Sequence, residues 1–230
     1  MALVAVRRYA ASSGRGSPFH SLAVMKLLVV RHGETQFNAE RRYLGALDPE
    51  LNAVGISQAR ALNAVLPATL DAVVCSPLRR ARHTADIVCE GRNMRPSPNE
   101  AFRERNVGVF EGLTQEEAKT RFPSLWAENI TRQWGRAPEN GETIEAVVKR
   151  VLEGLRQMYA SNQGKVVALV AHGFVAKVVR AITEARFDDF FTWQLANGAV
   201  CELTLTANPS IERTPSSVLR TLPAAAHVQR

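Results

Sequence analysis

Four short runs rich in valine, leucine and alanine punctuate the chain, at positions 27–30, 72–75, 166–171 and 199–206. Each has the length and branching of a strand buried on both faces. Helical signals lie between them. The stretch "SPLRRARHTADIVCEG" offers Ser76 as an N-cap, Pro77 at the first helical position and Gly91 as a stop, with Leu78, Ala81, Ala85 and Val88 on one stripe. "TQEE", from Thr114 to Glu117, is a capping box, and Pro123 bounds the helix that follows it. The clearest helix is predicted over 143–160, where Ile144, Val147, Val148, Val151, Leu152, Leu155, Met158 and Tyr159 recur at i, i+3, i+4, i+7 spacing. Strands alternating with helices require crossover connections. The pattern therefore predicts an α/β fold, a three-layer sandwich with a mostly parallel central sheet and helices on both faces. No internal repeat interrupts it.

Length and composition change this picture little. The 230 residues, 46% hydrophobic and 22% charged, suit one domain with a full core. The net charge of +7 raises the question of a nucleic-acid or membrane partner, but its distribution answers it. Residues 1–25 carry Arg7, Arg8 and Arg15 without an acid, and 207–230 carry Arg213, Arg220 and Arg230 against Glu212, so five of the seven charges lie at the ends. A near-balanced 26–206 argues against binding a phosphate backbone, which needs basic residues massed on one face. The acid-free 1–25 segment fits a transit peptide, and equally an upstream start, since Met25 directly precedes "KLLVVRHGET". The expected organisation is a 1–25 extension, a 26–206 domain and a loosely ordered 207–230 tail rich in Pro, Ser, Thr and Ala. Cys75, Cys89 and Cys201 have neither CxxC spacing nor an even count, and no apolar run approaches the ~20 residues of a membrane span. A cytoplasmic protein is expected, or an organellar one if the extension is a transit peptide, with no membrane partner.

The chemistry gathers at strand ends. In a sheet of this kind ligands sit at the carboxyl ends of the strands, where helix N-termini offer free N–H groups to anions. His32 follows the first run as "VVRHG" and His172 follows another as "LVAHG", each with a glycine next. Arg31 adjoins His32, while Arg79 and Arg80 open the helix after "AVVCS", near the same rim. Arginine's planar fork suits two-point contact with phosphate oxygens. Metal ligation is not expected, because no His or carboxylate pair falls at helical ligand spacing around these residues. His83, one turn past Arg79, reads as a helix-surface residue. A cysteine phosphatase loop, Cys then five residues then Arg, fails because the sixth position after Cys75 is Ala81.

"RHGET" with Asn38, "CSPLRRARHTA", "FRERNVGVFEGLT" and "VAHG", in that order, resemble the histidine phosphatase superfamily, which includes cofactor-dependent phosphoglycerate mutases and many small phosphatases. The resemblance spans about 26–206. It implies His32 as a nucleophile that becomes phosphorylated, with Arg31, Arg79 and His172, the last as imidazolium, holding the phosphoryl oxygens. Glu104 would be the general acid and then the base; the residues alone do not separate it from Glu111 or Glu34. Asn38 and Gly45 resemble the loop that closes over the phosphate, Gly173 follows His172 at the same rim, and Glu142 matches a motif segment or supports the rim. The compact segment from Thr114 to Thr143 resembles the broad-specificity and alpha-ribazole-type phosphatases rather than the mutases, which carry a longer basic insertion there. The implied activity is metal-independent, cofactor-free hydrolysis of small phosphorylated metabolites by an acid-type histidine phosphatase acting as monomer or homodimer, with a phosphoglycerate mutase as the alternative. Phe110, Phe122, Trp126 and Trp134 either line an apolar wall for the leaving group or pack a cap over the sheet.

Overall fold

A computed structural model describes residues 6–7 and 24–206. The expected 1–25 extension thus lies almost wholly, and the 207–230 tail entirely, outside the described residues. Six strands form one sheet, β1 (Val6–Arg7), β2 (Met25–Arg31), β3 (Ala72–Cys75), β4 (Ser97–Pro98), β5 (Val166–Ala171) and β6 (Val200–Leu205), in the order β1-β6-β2-β5-β3-β4. All neighbouring pairs are parallel except β2 with β6.

Side chains alternate across this sheet, and the alternation builds the layers. Leu27 and Val29 of β2, with Val167 and Leu169 of β5, face α6 (Ile144–Ser161) and α7 (Gly173–Glu184). Leu28 and Val30, with Ala168 and Val170, face α2 (Ala53–Val65) and α3 (Arg79–Cys89). The expected three-layer α/β sandwich is the observed one. The helix α6 starts where the pattern places it: Thr143 caps it by accepting a hydrogen bond from the Ala146 N–H, and its whole apolar stripe is buried. A smaller cluster, with Phe110, Leu113, Ala118 and Ile130 at its centre, is packed by α4 (Gln115–Arg121) and α5 (Pro123–Ala127) beside the main core. Thr114 and Glu117 close the predicted capping box there.

One predicted boundary is wrong. The helix α3 begins at Arg79 rather than Pro77, with Leu78 as an N-cap that supplies no side-chain bond. Ser76 ends the strand instead, where its N–H donates to the Val170 carbonyl at 2.9 Å and its hydroxyl accepts the Leu78 N–H at 3.3 Å.

Candidate active site

Strand register assembles the site. The last pair between β2 and β5 is Arg31 with Ala171, so the next residues, His32 and His172, emerge level on adjacent strands. The His32 N–H continues the ladder to the Ala171 carbonyl at 3.0 Å. Their rings meet edge to face with centroids 5.1 Å apart. On the other side of β5, Cys75 of β3 pairs with Val170, which sets Ser76 beside His172, and the serine Oγ lies 2.7 Å from His172 Nε2.

The protonation of His32 follows from its partners. Its Nδ1 lies 2.7 Å from the Gly33 carbonyl oxygen, which can only accept, so Nδ1 carries the hydrogen. Nε2 then keeps its lone pair, consistent with the Arg80 Nε–H donating to it at 3.3 Å. Burial, followed by the charges of Arg80 and Arg31, holds the His32 pKa well below the usual histidine range. A neutral imidazole with a bare Nε2 is the nucleophilic form. A glycine is needed at 33 because the turn after β2 packs on the start of α2, and a Cβ there would overlap the Gly55 backbone.

Arg80 is wholly buried. Its guanidinium donates to the Gly45 carbonyl at 2.9 Å and the Leu47 carbonyl at 2.5 Å as well as to His32. Burial lowers its pKa to about 10, which leaves it cationic at neutral pH. Arg31 anchors one nitrogen on the Leu195 carbonyl at 2.8 Å, while its Nε is buried without a partner among the described residues. Gly45, with φ of +51°, brings its carbonyl to Arg80, and a Cβ there would overlap the Glu111 carboxylate. Asn38 lies in the short helix α1 (Gln36–Ala39), its Oδ1 accepting from the Thr35 N–H and from Asn197.

Glu104 supplies a carboxylate to the cavity that these groups border, a hollow of about 330 Å³. One oxygen accepts the Arg105 N–H at 2.9 Å and the other the Phe174 N–H at 3.2 Å, in the first turn of α7, where the helix dipole favours an anion. The segment that carries it is clamped from behind: Arg150 pairs with Glu142 at 2.7 Å and donates to the Ala101 and Arg103 carbonyls.

A model of the histidine phosphatase superfamily (branch 1) matches residues 27–213. The chain belongs to that superfamily. An adenosylcobalamin/alpha-ribazole phosphatase of Salmonella typhimurium is 35% identical over 164 residues, covering 68% of this chain and 78% of that protein. A 2,3-bisphosphoglycerate-dependent phosphoglycerate mutase of Methylorubrum extorquens is 28% identical over 176 residues, covering 68% and 83%. The match to the bifunctional protein Rv2228c of Mycobacterium tuberculosis, 32% identical over 166 residues, spans 70% of this chain and 43% of that longer protein. Among solved structures, Bacillus stearothermophilus YhfR superposes with a TM-score of 0.70 at 31% identity, covering 76% of this chain and 89% of that one.

Within this superfamily member, the residues singled out in the sequence are distributed unequally. Arg31, His32, Asn38, Gly45, Glu104 and Gly173 all line the cavity. His172 stands beside His32 rather than on the cavity wall. Burial, then Arg80, His32 and Arg31, depresses its pKa well below the usual range, so the expected imidazolium is a neutral ring here, with Nδ1 buried and unpartnered among the described residues. Arg79 is the clear misplacement. Its side chain is 60% exposed and pairs with Glu50, outside the cavity, and Arg80 stands where Arg79 was expected. The two differ by one residue, about 100° around a helix, and only Arg80 turns toward the buried side with Thr84 and Val88. That stripe was the signal available to tell them apart. Ser76, expected as the helix cap, accepts the Leu78 N–H at 3.3 Å just before the helix and also lies beside His172.

Geometry also separates the three carboxylates. Glu111 accepts the Ala46 and Val107 N–H groups, and Glu34 accepts from Asn52, so both are engaged structurally while Glu104 faces the cavity. Glu142 supports the rim through Arg150. Phe110, Phe122 and Trp126 pack the small cap and Trp134 packs the main core, so none of the four forms the leaving-group wall. Tyr43, Phe174 and Phe191 line the cavity instead. His83 is exposed on α3, as expected, and the buried Cys75 thiol is pushed up to about 12, far from a thiolate nucleophile.

Proposed function

We propose that this protein hydrolyses phosphomonoesters of small metabolites through a phosphohistidine on His32. The observation that carries the reading is the unprotonated Nε2 of a neutral His32, fixed by the Gly33 carbonyl and flanked by the buried Arg80 and the half-buried Arg31. Nε2 attacks phosphorus in line with the ester oxygen, the N–P bond forms as the P–O bond breaks, and the Glu104 carboxyl delivers its proton to the departing alkoxide. Arg31 and Arg80 bind the equatorial oxygens, with the neutral His172 ring packed beside His32. These positions neutralise the charge spread over the transferring phosphoryl group, the principal demand of such a step. Glu104, now a carboxylate, takes a proton from water, whose oxygen attacks phosphorus and releases inorganic phosphate with His32 restored.

The guanidinium groups provide the positive charge that a divalent cation supplies in other phosphatases. Purified protein is expected to hydrolyse p-nitrophenyl phosphate and members of a sugar-phosphate panel equally well with and without EDTA. His32→Ala is expected to remove the activity, and rapid quenching of the parent to trap acid-labile phosphate on that residue. Chelator-sensitive turnover, or an active His32→Ala variant, defeats the mechanism. The same protein given 3-phosphoglycerate with 2,3-bisphosphoglycerate separates the two chemistries of the superfamily: released phosphate means hydrolase, isomerised phosphoglycerate means mutase.

A further inference from the structure

The cavity is far more cationic than one phosphoryl group requires. Six basic side chains line it, Arg31, Arg42, Arg80, Arg105, Arg132 and Lys177, against the single carboxylate of Glu104. Arg31 and Arg80 serve the phosphoryl group at His32. Arg42 is already neutralised by Glu40 at 2.7 Å and Glu117 at 2.6 Å. Three cations remain. Arg105 is buried, with one nitrogen on the Glu142 carbonyl and one on the Thr131 carbonyl, which leaves Nη2 buried and unpartnered among the described residues. Lys177 projects from α7, nine-tenths buried, and no carboxylate among the described residues lies within 4.0 Å of its ammonium. Burial, then the charges of Arg132 and Arg31, lowers the lysine to about 8. Arg132, exposed at the cavity mouth, has no acidic partner among the described residues and lies 5.7 Å over the Phe191 ring.

Cations gathered at close quarters repel one another and are costly to desolvate, and the carboxylates that act on them, Glu104 and Asp189 on Lys177 and Glu142 and Glu104 on Arg105, do not outweigh burial, so a fold that retains them is compensated when an anion arrives. We propose that Lys177, Arg132 and Arg105 form a second anion subsite, which takes a carboxylate or phosphate on the leaving part of the substrate. The preferred substrates are then phosphomonoesters carrying a second anionic group, not esters of neutral alcohols. This rests on the phosphatase reading for its consequence in turnover, but the subsite itself is a statement about binding.

The test uses matched pairs. 3-Phosphoglycerate and glycerol 3-phosphate share a carbon skeleton and differ by carboxylate against hydroxymethyl. Propane-1,3-diol bisphosphate against its monophosphate tests phosphate at the same place. Full-length protein is expected to favour the member bearing the second anionic group in at least one pair by about tenfold or more in kcat/KM, chiefly through KM, and which pair responds identifies the anion. Arg132→Gln and Lys177→Met should each shrink that ratio, and the double variant should bring it near one; thermal melts check that the variants fold, and Arg132→Gln, at an exposed position, serves alone if Lys177→Met does not. Calorimetric binding of 4-phosphonobutyrate against butylphosphonate repeats the comparison without turnover. Equal binding of the two phosphonates, or a preference untouched by Arg132→Gln and Lys177→Met, overturns the subsite. A preserved binding preference without hydrolysis of any ester overturns the phosphatase reading alone.

Discussion

The two halves of the cavity are built differently. The floor, with His32, Ser76, His172 and Arg80, comes from the ends of neighbouring strands and the first turn of α3, and every one of these side chains is buried and hydrogen-bonded to its neighbours or to backbone. The mouth, with Glu104, Arg105, Arg132, Lys177 and Phe191, is gathered from segments far apart in sequence, and it holds exposed or unpartnered polar groups. Under the proposed phosphohistidine chemistry the floor would hold one charge distribution, the phosphoryl group, and the mouth would meet whatever that group is attached to. Relatives bearing phosphatase and mutase names are compatible with such a division.

Substitutions distinguish the halves. The largest effect is expected on the floor: Arg80→Ala should lower kcat/KM by about 10³-fold for every phosphate ester alike, because it removes a donor to the transferring group. Arg79→Ala, one residue away and in solvent, should stay within about twofold, as exposed ion pairs contribute little. Equal losses at the two positions would break the distinction. Next, Glu104→Gln should cost roughly 10²- to 10⁴-fold with alkyl phosphates and markedly less with p-nitrophenyl phosphate, whose phenolate departs without a proton. A loss independent of the leaving group would remove Glu104 from proton transfer. Replacing Arg150 by Met should cost about tenfold by loosening the segment that carries Glu104, and the loss should again be smaller for p-nitrophenyl phosphate. The smallest effect concerns pH. Lys177 titrates near 8, cationic below and neutral above, so the preference for a substrate with a second anion should decline severalfold as pH rises through that region. The phosphoryl group ionises near 6 in both members of a matched pair, so the ratio isolates the lysine. A ratio flat from pH 6.5 to about 9.5 would exclude Lys177 from the recognition.

How much could be read beforehand follows the same division. Strand-end histidines are legible because a short apolar run predicts a strand, and the residue after it must lie at the sheet edge; His32 and His172 required nothing more. The helix α6 was equally plain, with one buried stripe and one solvent face. By contrast α7 is buried nearly all round, with Val175, Ala176, Val178, Val179, Ala181 and Ile182 all inside, so no period delimits it and Lys177 within it gave no sign of its cavity position. The confusion of Arg79 with Arg80 arose because both open the same helix, and the starting residue of that helix fixes which one turns inward. The place of Ser76 beside His172 was missed for a related reason: a serine before a proline has the signature of a cap, and only the pairing of β3 with β5 reveals the histidine next to it.

The pairing of Arg31 with Ala171 at the end of β2 and β5 has a consequence for how activity is lost. Because His32 and His172 are held by the innermost backbone ladder of the molecule, no locally frayed species can retain one without the other. Heating or urea should separate the two rings only along the curve that far-ultraviolet ellipticity follows, whereas loosening of the segment that carries Glu104 lowers turnover ahead of it.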